Sequence, residues 1–311
     1  MHREERSITR GLRHGLRQLV RFGVVQARAC AFAVALLAGI GAARLLPPLP
    51  VARYDLILIY GVLLTVVARR VGWETRRDTA VIVVCHAVGL LFELVKVRLG
   101  SWSYPEDALT KIAGVPLYGG FMYAAVAGYV CRARRLMRLR YTRYRAAATT
   151  LVAAAVYLNF FTHHWLPDLR WPLAVAMIAA TAGTWVGFDV GTHRYRMPLA
   201  VSFVLIGFFL WVAENAATYA GAWSYPQQLG GWHPVPLAKF GAWSLLISVT
   251  FVLVEHLTAA RPEPGTPSRP GAAEPTVCGT PRAVPPASGV PSRVGRSRCS
   301  RWVFRLRAAV R

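Results

Sequence analysis

The chain has 311 residues, of which 55% are hydrophobic and only 16% charged, and its mean hydropathy is +0.37. Those values fit a polytopic membrane protein. The net charge of +23 does not point to nucleic acid, because the Arg residues sit in short clusters between apolar runs and nothing resembles a nucleic-acid-binding module.

Residues 1–28 form a basic leader. Ile8, Leu12, Leu16, Leu19 and Gly23 recur at helical spacing, with Arg10, Arg13, Arg17 and Arg21 on other faces. The pattern predicts an amphipathic helix on an anionic membrane surface. Eight apolar runs follow, at about 29–46, 54–68, 79–98, 112–131, 146–161, 170–188, 197–218 and 235–257. Most approach the roughly 20 residues that span a bilayer; the second and fifth are short. The expected fold is therefore all-α, a polytopic membrane helix bundle of about eight transmembrane helices.

The loops set the expected orientation. Arg69, Arg70, Arg76 and Arg77 crowd one loop, and the 132–145 loop holds seven Arg, as does the leader. The alternate loops are poor in positive charge. Positive-inside bias then puts both termini in the cytoplasm, across the inner membrane. Residues 259–311 turn to Pro, Gly, Ser, Ala and Arg and read as a disordered basic tail. Cys30, Cys85 and Cys131 lie in or beside apolar runs, and Cys278 and Cys299 lie in the tail. No structural disulfide is expected from them.

One phrase occurs twice. Glu93 is followed nine residues later by Trp102-Ser103-Tyr104-Pro105, then by Val115-Pro116-Leu117. Glu214 is followed nine residues later by Trp223-Ser224-Tyr225-Pro226, then by Val235-Pro236-Leu237. We read this as a tandem duplication with parallel halves at about 29–132 and 146–257. The transmembrane domain then covers 29–258.

Both Glu fall inside apolar runs. A carboxylate there costs about 2–3 kcal/mol even on the lenient insertion scale, so it should face protein or water. Desolvation would favour a protonated acid able to donate. The alternative is a structural Glu, paired for Glu93 with Lys96 on the same helical face. His86, two turns before Glu93, is a candidate to share a proton or bind a ligand; a buried His also serves to make one hydrogen bond. The densest polar cluster contains Asn159, His163, His164, Asp168 and Arg170. His163, His164 and Asp168 are candidates for a second acid or a divalent metal site, although the spacing matches no standard zinc motif. The alternative is an interfacial cap with Asp168 paired to Arg170. Trp102, Tyr104, Trp223 and Tyr225 are candidate walls for an apolar substrate, or an aromatic belt. Asn215 adds a polar neighbour to Glu214, and Lys239 is placed to pair with Glu214 or to bind an anionic headgroup.

The stretches KVRLGSWSYPE, VPLYGGFMYA, YLNFFTHHWLPDLRW, RMPL, FLWVAENAATYAGAWSYPQQ and GWHPVPLAKFGAW resemble a family of bacterial integral membrane proteins, the domain-of-unknown-function family numbered eight-one-seven. The resemblance covers about residues 20–258. It implies a polytopic inner-membrane protein and brings no reaction with it. A second resemblance, to carotenoid hydratases and small lycopene cyclase membrane proteins, rests on Glu93, Tyr104 and Pro116 and on Glu214, Tyr225 and Pro236. It implies protonation of a C=C bond in a polyprene. Lys239, the His-His cluster and the Trp-Ser-Tyr-Pro wording are not that family's.

These readings converge on a membrane-embedded enzyme acting on a lipid or polyprenoid by acid-assisted chemistry at Glu93 and Glu214. The bilayer is the expected partner, and a divalent metal is the one cofactor candidate. A proton-coupled carrier using the same carboxylates and a scaffold glued by polar residues are the alternatives.

Overall fold

The structure, a computed structural model, describes residues 2–47 and 49–259, with side chains over 12–47 and 49–258. The basic tail, with Cys278 and Cys299, lies outside the described residues. The leader forms α1 (His2–Ala29). Then come α2 (Ala31–Leu45), α3 (Arg53–Arg70), α4 (Arg76–Arg98), β1 (Lys111–Ile112), β2 (Val115–Pro116) and α5 (Gly120–Leu136). Next are β3 (Arg140–Thr142), α6 (Ala146–Thr162), α7 (Arg170–Ala180), β4 (Trp185–Val190), β5 (His193–Pro198), α8 (Leu199–Tyr219) and α9 (Ala238–Ala259).

Helices α2 to α9 lie on the eight expected apolar runs. By length and composition, α4, α8 and α9 can each cross a membrane. A fourth crossing is possible if α1 and α2, bent by 64° at Cys30, act as one span. The chain is thus a multi-pass membrane protein. Helices α6 and α7 are apolar but shorter, so eight full spans do not follow from helix length.

The fold is also not purely helical. The run at 170–188 stops at Ala180, and the chain crosses Gly183 in a left-handed turn (φ +75°). Trp185–Val190 then forms a strand, because Val186, Phe188 and Val190 alternate onto one buried face, the period of a pleated ribbon rather than a helix. The hairpin β4–β5 pairs with β3 into a three-stranded antiparallel sheet. Phe188 and Val190 pack against Ala29 and Phe22 of α1. Leu12, Leu16 and Leu19 of α1 are exposed.

Helix α4 shows how sequence sets a face. Thr75 caps it, accepting from the Asp78 N–H while the Asp78 carboxylate accepts from the Thr75 N–H, a reciprocal capping box. Its buried residues Val81, Cys85, Gly89, Phe92, Glu93 and Lys96 follow the helical period. Helix α4 packs most extensively on α5, and α8 on α9. Small residues permit both approaches. Gly89 lies against Tyr123, and Gly207 against the backbone of Ser244.

At the start of α4 the buried Glu74 takes Arg132 at 3.2 Å and Arg135 at 3.4 Å, and Arg135 also holds Asp78 at 3.0 Å. At the other end the two phrase loops meet. Ser103 and Ser224 form an antiparallel bridge. Arg53 ties the loops together: its guanidinium pairs with Glu106 of the first and donates to the carbonyls of Ala220 and Gly221 at 3.0 and 2.7 Å beside the second. The Asp55 carboxylate accepts from the Leu109 and Thr110 N–H groups at 2.8 and 3.0 Å. Cys30, Cys85 and Cys131 are free thiols.

Candidate functional site

A cavity of about 220 Å³ opens beneath the paired loops, between α4, α5, α6, α8 and α9. Glu93 and Glu214 both line it, although 121 residues of chain separate them. Both are buried, at 5% and 4% exposure.

Each carboxylate is held by aromatic donors. Glu93 Oε2 accepts from Trp102 Nε1 at 2.7 Å and from the Tyr104 hydroxyl at 2.8 Å; Oε1 accepts from the Tyr123 hydroxyl at 2.8 Å. Glu214 Oε2 accepts from Trp243 Nε1 at 2.8 Å, and its Oε1 accepts from the Tyr225 hydroxyl. Two donors of each shell correspond in position, while Trp102 on Glu93 has no counterpart on Glu214 among the described residues. Tyr104 and Tyr225 each lie 11 residues beyond their Glu. Tyr123 and Trp243 each lie seven residues beyond the Pro of Val-Pro-Leu. An indole N–H only donates, so Trp102 and Trp243 each fix one carboxylate oxygen as an acceptor. A tyrosine hydroxyl donates or accepts, so the other oxygen keeps a partner able to pass a proton. Burial pushes the Tyr104 and Tyr225 phenols above their ordinary range, and the adjacent carboxylate adds to it, so both hydroxyls keep their protons at neutral pH.

The cavity's cations come from three elements. Lys239 opens α9 and lies over the Tyr225 ring at 4.4 Å and the Trp102 ring at 5.4 Å, within range of cation–π attraction. Lys96 is not paired with Glu93. Its ammonium faces His163 Nδ1 at 3.5 Å and His164 Nε2 at 3.3 Å. Arg170, at the start of α7, completes the cationic side.

Of the residues singled out from sequence, Glu93, Glu214, Trp102, Tyr104, Trp223, Tyr225, Pro236, Lys239, His163 and Arg170 line the cavity. The others serve elsewhere. His164 stacks on His163 at 4.1 Å. Burial holds both imidazoles below the ordinary His range, and the Lys96 charge lowers them further. Asp168 accepts from the Arg170 N–H at 2.9 Å and Asn159 Nδ2 at 3.3 Å, and pairs with the Arg170 guanidinium at 3.2 Å. Burial works to raise this carboxyl, but those donors outweigh it and hold it below the usual range. Asn159 Oδ1 in turn accepts from the Leu169 N–H at 3.0 Å. The hydrogen bonds of Asn159, Asp168 and Arg170 cap the loop that leads into α7. The ammonium of Lys96 lies against both imidazoles of the cluster, and among the described residues no three His, Cys, Asp or Glu side chains form a metal-binding group. Asn215 ties α8 to the loop before α9, donating to the Trp211 carbonyl and accepting from the Val235 N–H, each at 2.9 Å. His86 packs on Phe121 with ring centres 4.5 Å apart, against Gly120, away from the cavity lining. Tyr123, Trp243 and Arg53 were not singled out from sequence. For the first two, the equal spacing from Pro116 and Pro236 carried the signal.

Residues 18–251 match the family described as "Protein of unknown function (DUF817)". The chain is 46% identical over 252 residues to "Uncharacterized protein YoaT" of Bacillus subtilis (strain 168), covering 81% of this chain and 96% of that one. It is similar in structure to MvINS, a mycobacterial Insig homolog from Mycobacterium vanbaalenii, with a TM-score of 0.44 and 19% identity over 61% of this chain and 98% of that one. A cross-linked trimer of MvINS gives a TM-score of 0.43 over the same shares. Matched over most of its length in sequence, the chain belongs to the DUF817 family.

Proposed function

We propose that this chain is a membrane-embedded enzyme that moves protons on a lipid or polyprenoid bound in the 220 Å³ cavity, with Glu93 and Glu214 as its acid–base pair. The observation that carries the reading is that both buried carboxylates line one cavity, each backed by a tyrosine hydroxyl that also lines it. Tyr123 stands on Glu93 and Tyr225 on Glu214. One glutamic acid passes its proton to its tyrosine as that hydroxyl protonates the substrate. The other, ionised, takes a proton from an attacking water or from a neighbouring carbon. The net change is hydration or a double-bond shift, and it needs no oxidant or reductant. The aromatic lining supports cationic character in the substrate.

We further infer that the two phrases are halves of one duplicated four-helix unit. The two corresponding donor positions, Tyr104 with Tyr225 and Tyr123 with Trp243, and the Ser103–Ser224 pairing support this. Eight crossings of the cytoplasmic membrane, with both termini inside, agree with the arginine distribution.

The test compares the lipid extract of a host lacking this gene with extracts after return of the native chain, Glu214→Gln or Glu93→Gln. The proposal requires a lipid that changes with the native chain and with neither variant. Full restoration by Glu214→Gln contradicts it.

A further inference from the structure

The charges in the cavity are not matched by contact. The carboxylates of Glu93 and Glu214 are bound by neutral indole and phenol donors. Lys96 is 3% exposed, and the groups hydrogen-bonded to its ammonium are His163 and His164. Among the described residues, neither Lys96 nor Lys239 has an ion-pair partner. Lys239 rests on aromatic faces instead. Arg170 pairs with Asp168 at 3.2 Å on one side, while its Nε is buried with no partner among the described residues. Lys96 is buried, and a buried cation without an anion in contact is strongly unfavourable. Glu214 and Glu93 act on the half-buried Lys239 only from across the cavity, and the orphaned guanidinium N–H of Arg170 calls for an acceptor. Three elements, α4, α7 and α9, nonetheless hold their cations against one small cavity.

The opposite end of that cavity is apolar. A recess of about 50 Å³ adjoins it and shares Phe92, Val126, Leu210 and Leu246 with it. The recess runs on between α4, α8 and α9 past Val88, Ile247 and Leu253. The main cavity is smaller than the roughly 300–1,000 Å³ typical of sites that enclose a whole drug-sized ligand. It suits a head and the first carbons of a chain, and the recess marks the path by which the remainder runs out between α4, α8 and α9.

We propose that the site takes a single-headed anionic amphiphile. Its carboxylate or phosphate head is held by Lys96, Lys239 and the free edge of Arg170, and its hydrocarbon chain leaves past Phe92, Leu210 and Leu246 along the recess between the helices. This rests on the reading of the cavity as the working site, and names the substrate class. The head anchors the ligand. The chain is thereby threaded past Tyr123 and Tyr225, where the two acids act.

The test measures one-to-one adducts of the purified full chain by native mass spectrometry from a neutral detergent. Oleate, dodecyl phosphate, oleyl alcohol and inorganic phosphate are the probes. Oleate and dodecyl phosphate should bind at least tenfold more tightly than oleyl alcohol or inorganic phosphate. Lys96→Gln with Lys239→Gln should weaken the two anionic amphiphiles at least tenfold and leave oleyl alcohol unchanged. Lys96→Arg with Lys239→Arg should retain oleate, which separates loss of charge from loss of fold. Equal binding of oleyl alcohol and oleate overturns the proposal, as does inorganic phosphate binding as tightly as oleate. Full oleate affinity in the Gln pair overturns it too. The two readings also fail separately. If oleate binds through the lysines while Glu214→Gln restores the host's lipids, the acid chemistry fails and the anionic site stands. If the head group makes no difference while Glu214→Gln blocks lipid conversion, the outcome is reversed.

Discussion

Ser103 and Ser224 exchange both backbone hydrogen bonds, each N–H meeting the other's carbonyl at 2.9 Å. They occupy the same place in the two Trp-Ser-Tyr-Pro phrases, so the loops that roof the cavity are joined through equivalent residues. Hydrogen-bonded antiparallel partners of this kind have Cα atoms about 5.5 Å apart, a separation a disulfide spans without strain. The double variant Ser103→Cys/Ser224→Cys should therefore cross-link under mild oxidant in membranes. The readout is a shift in gel mobility that dithiothreitol reverses. A pair that stays reduced under conditions that oxidise a control disulfide contradicts the pairing.

The aromatic donors around Glu93 should be worth measurable stability. Tyr104→Phe removes a hydroxyl that donates to a buried carboxylate oxygen. A hydrogen bond to a charged group contributes about 1.5–3 kcal/mol. Thermal unfolding in detergent should fall accordingly. Tyr219→Phe, on a residue 63% exposed, should change stability by less than about 0.5 kcal/mol. Equal midpoints for the two variants would mean that the Glu93 shell is not stabilising.

The crossing of α8 and α9 has no room for a side chain at Gly207. A Cβ there would lie 2.6 Å from the Ser244 N and 2.7 Å from its Cα, and backbone cannot turn aside. Gly207→Ala should destabilise by about 1–3 kcal/mol, the usual cost of overpacking. Gly41→Ala in α2 meets nothing within 4 Å and should be neutral or gain up to about 1 kcal/mol from helix propensity. The comparison needs only the two unfolding midpoints. A harmless Gly207→Ala would show the helices to be further apart.

How much of this was legible beforehand varies by element. The Glu-to-Trp and Glu-to-Tyr intervals were visible because a loop that returns to its own helix keeps a fixed length, and the structure places both acids on one cavity as that repetition suggested. The strand at Trp185–Val190 was hidden inside an apolar run. Hydropathy summed over a window does not separate a period of two from 3.6, and only the alternation of Val186, Phe188 and Val190 reveals it. The turn of Lys96 towards His163 was equally hidden. Glu93 and Lys96 share a helical face, which suggests a pair, but Trp102, Tyr104 and Tyr123 take three of the carboxylate's roughly four acceptor sites. Such competition arises only when distant segments meet.

The paired histidines should make stability depend on pH. Both imidazoles titrate below the ordinary value of 6.5 in the fold, so between that value and the lowered one the unfolded chain binds more protons. Their contribution is complete above about pH 6.5 and is lost as the pH falls through the lowered values. The unfolding midpoint should drop between about pH 7 and pH 5, and His163→Gln/His164→Gln should flatten part of that slope. An identical slope in the double variant, or a midpoint that rises on acidification, contradicts the assignment.

Proton transfer by Glu93 and Glu214 is most directly tested with heavy water. Membranes carrying the native chain, incubated in D2O with the lipid that accumulates in the deletion host, should yield a product bearing deuterium at carbon. Glu93→Gln and Glu214→Gln should each reduce that incorporation at least a hundredfold, within the usual range for losing a general acid or base. Product formed without carbon-bound deuterium, or labelled equally by the Gln variants, would contradict the account.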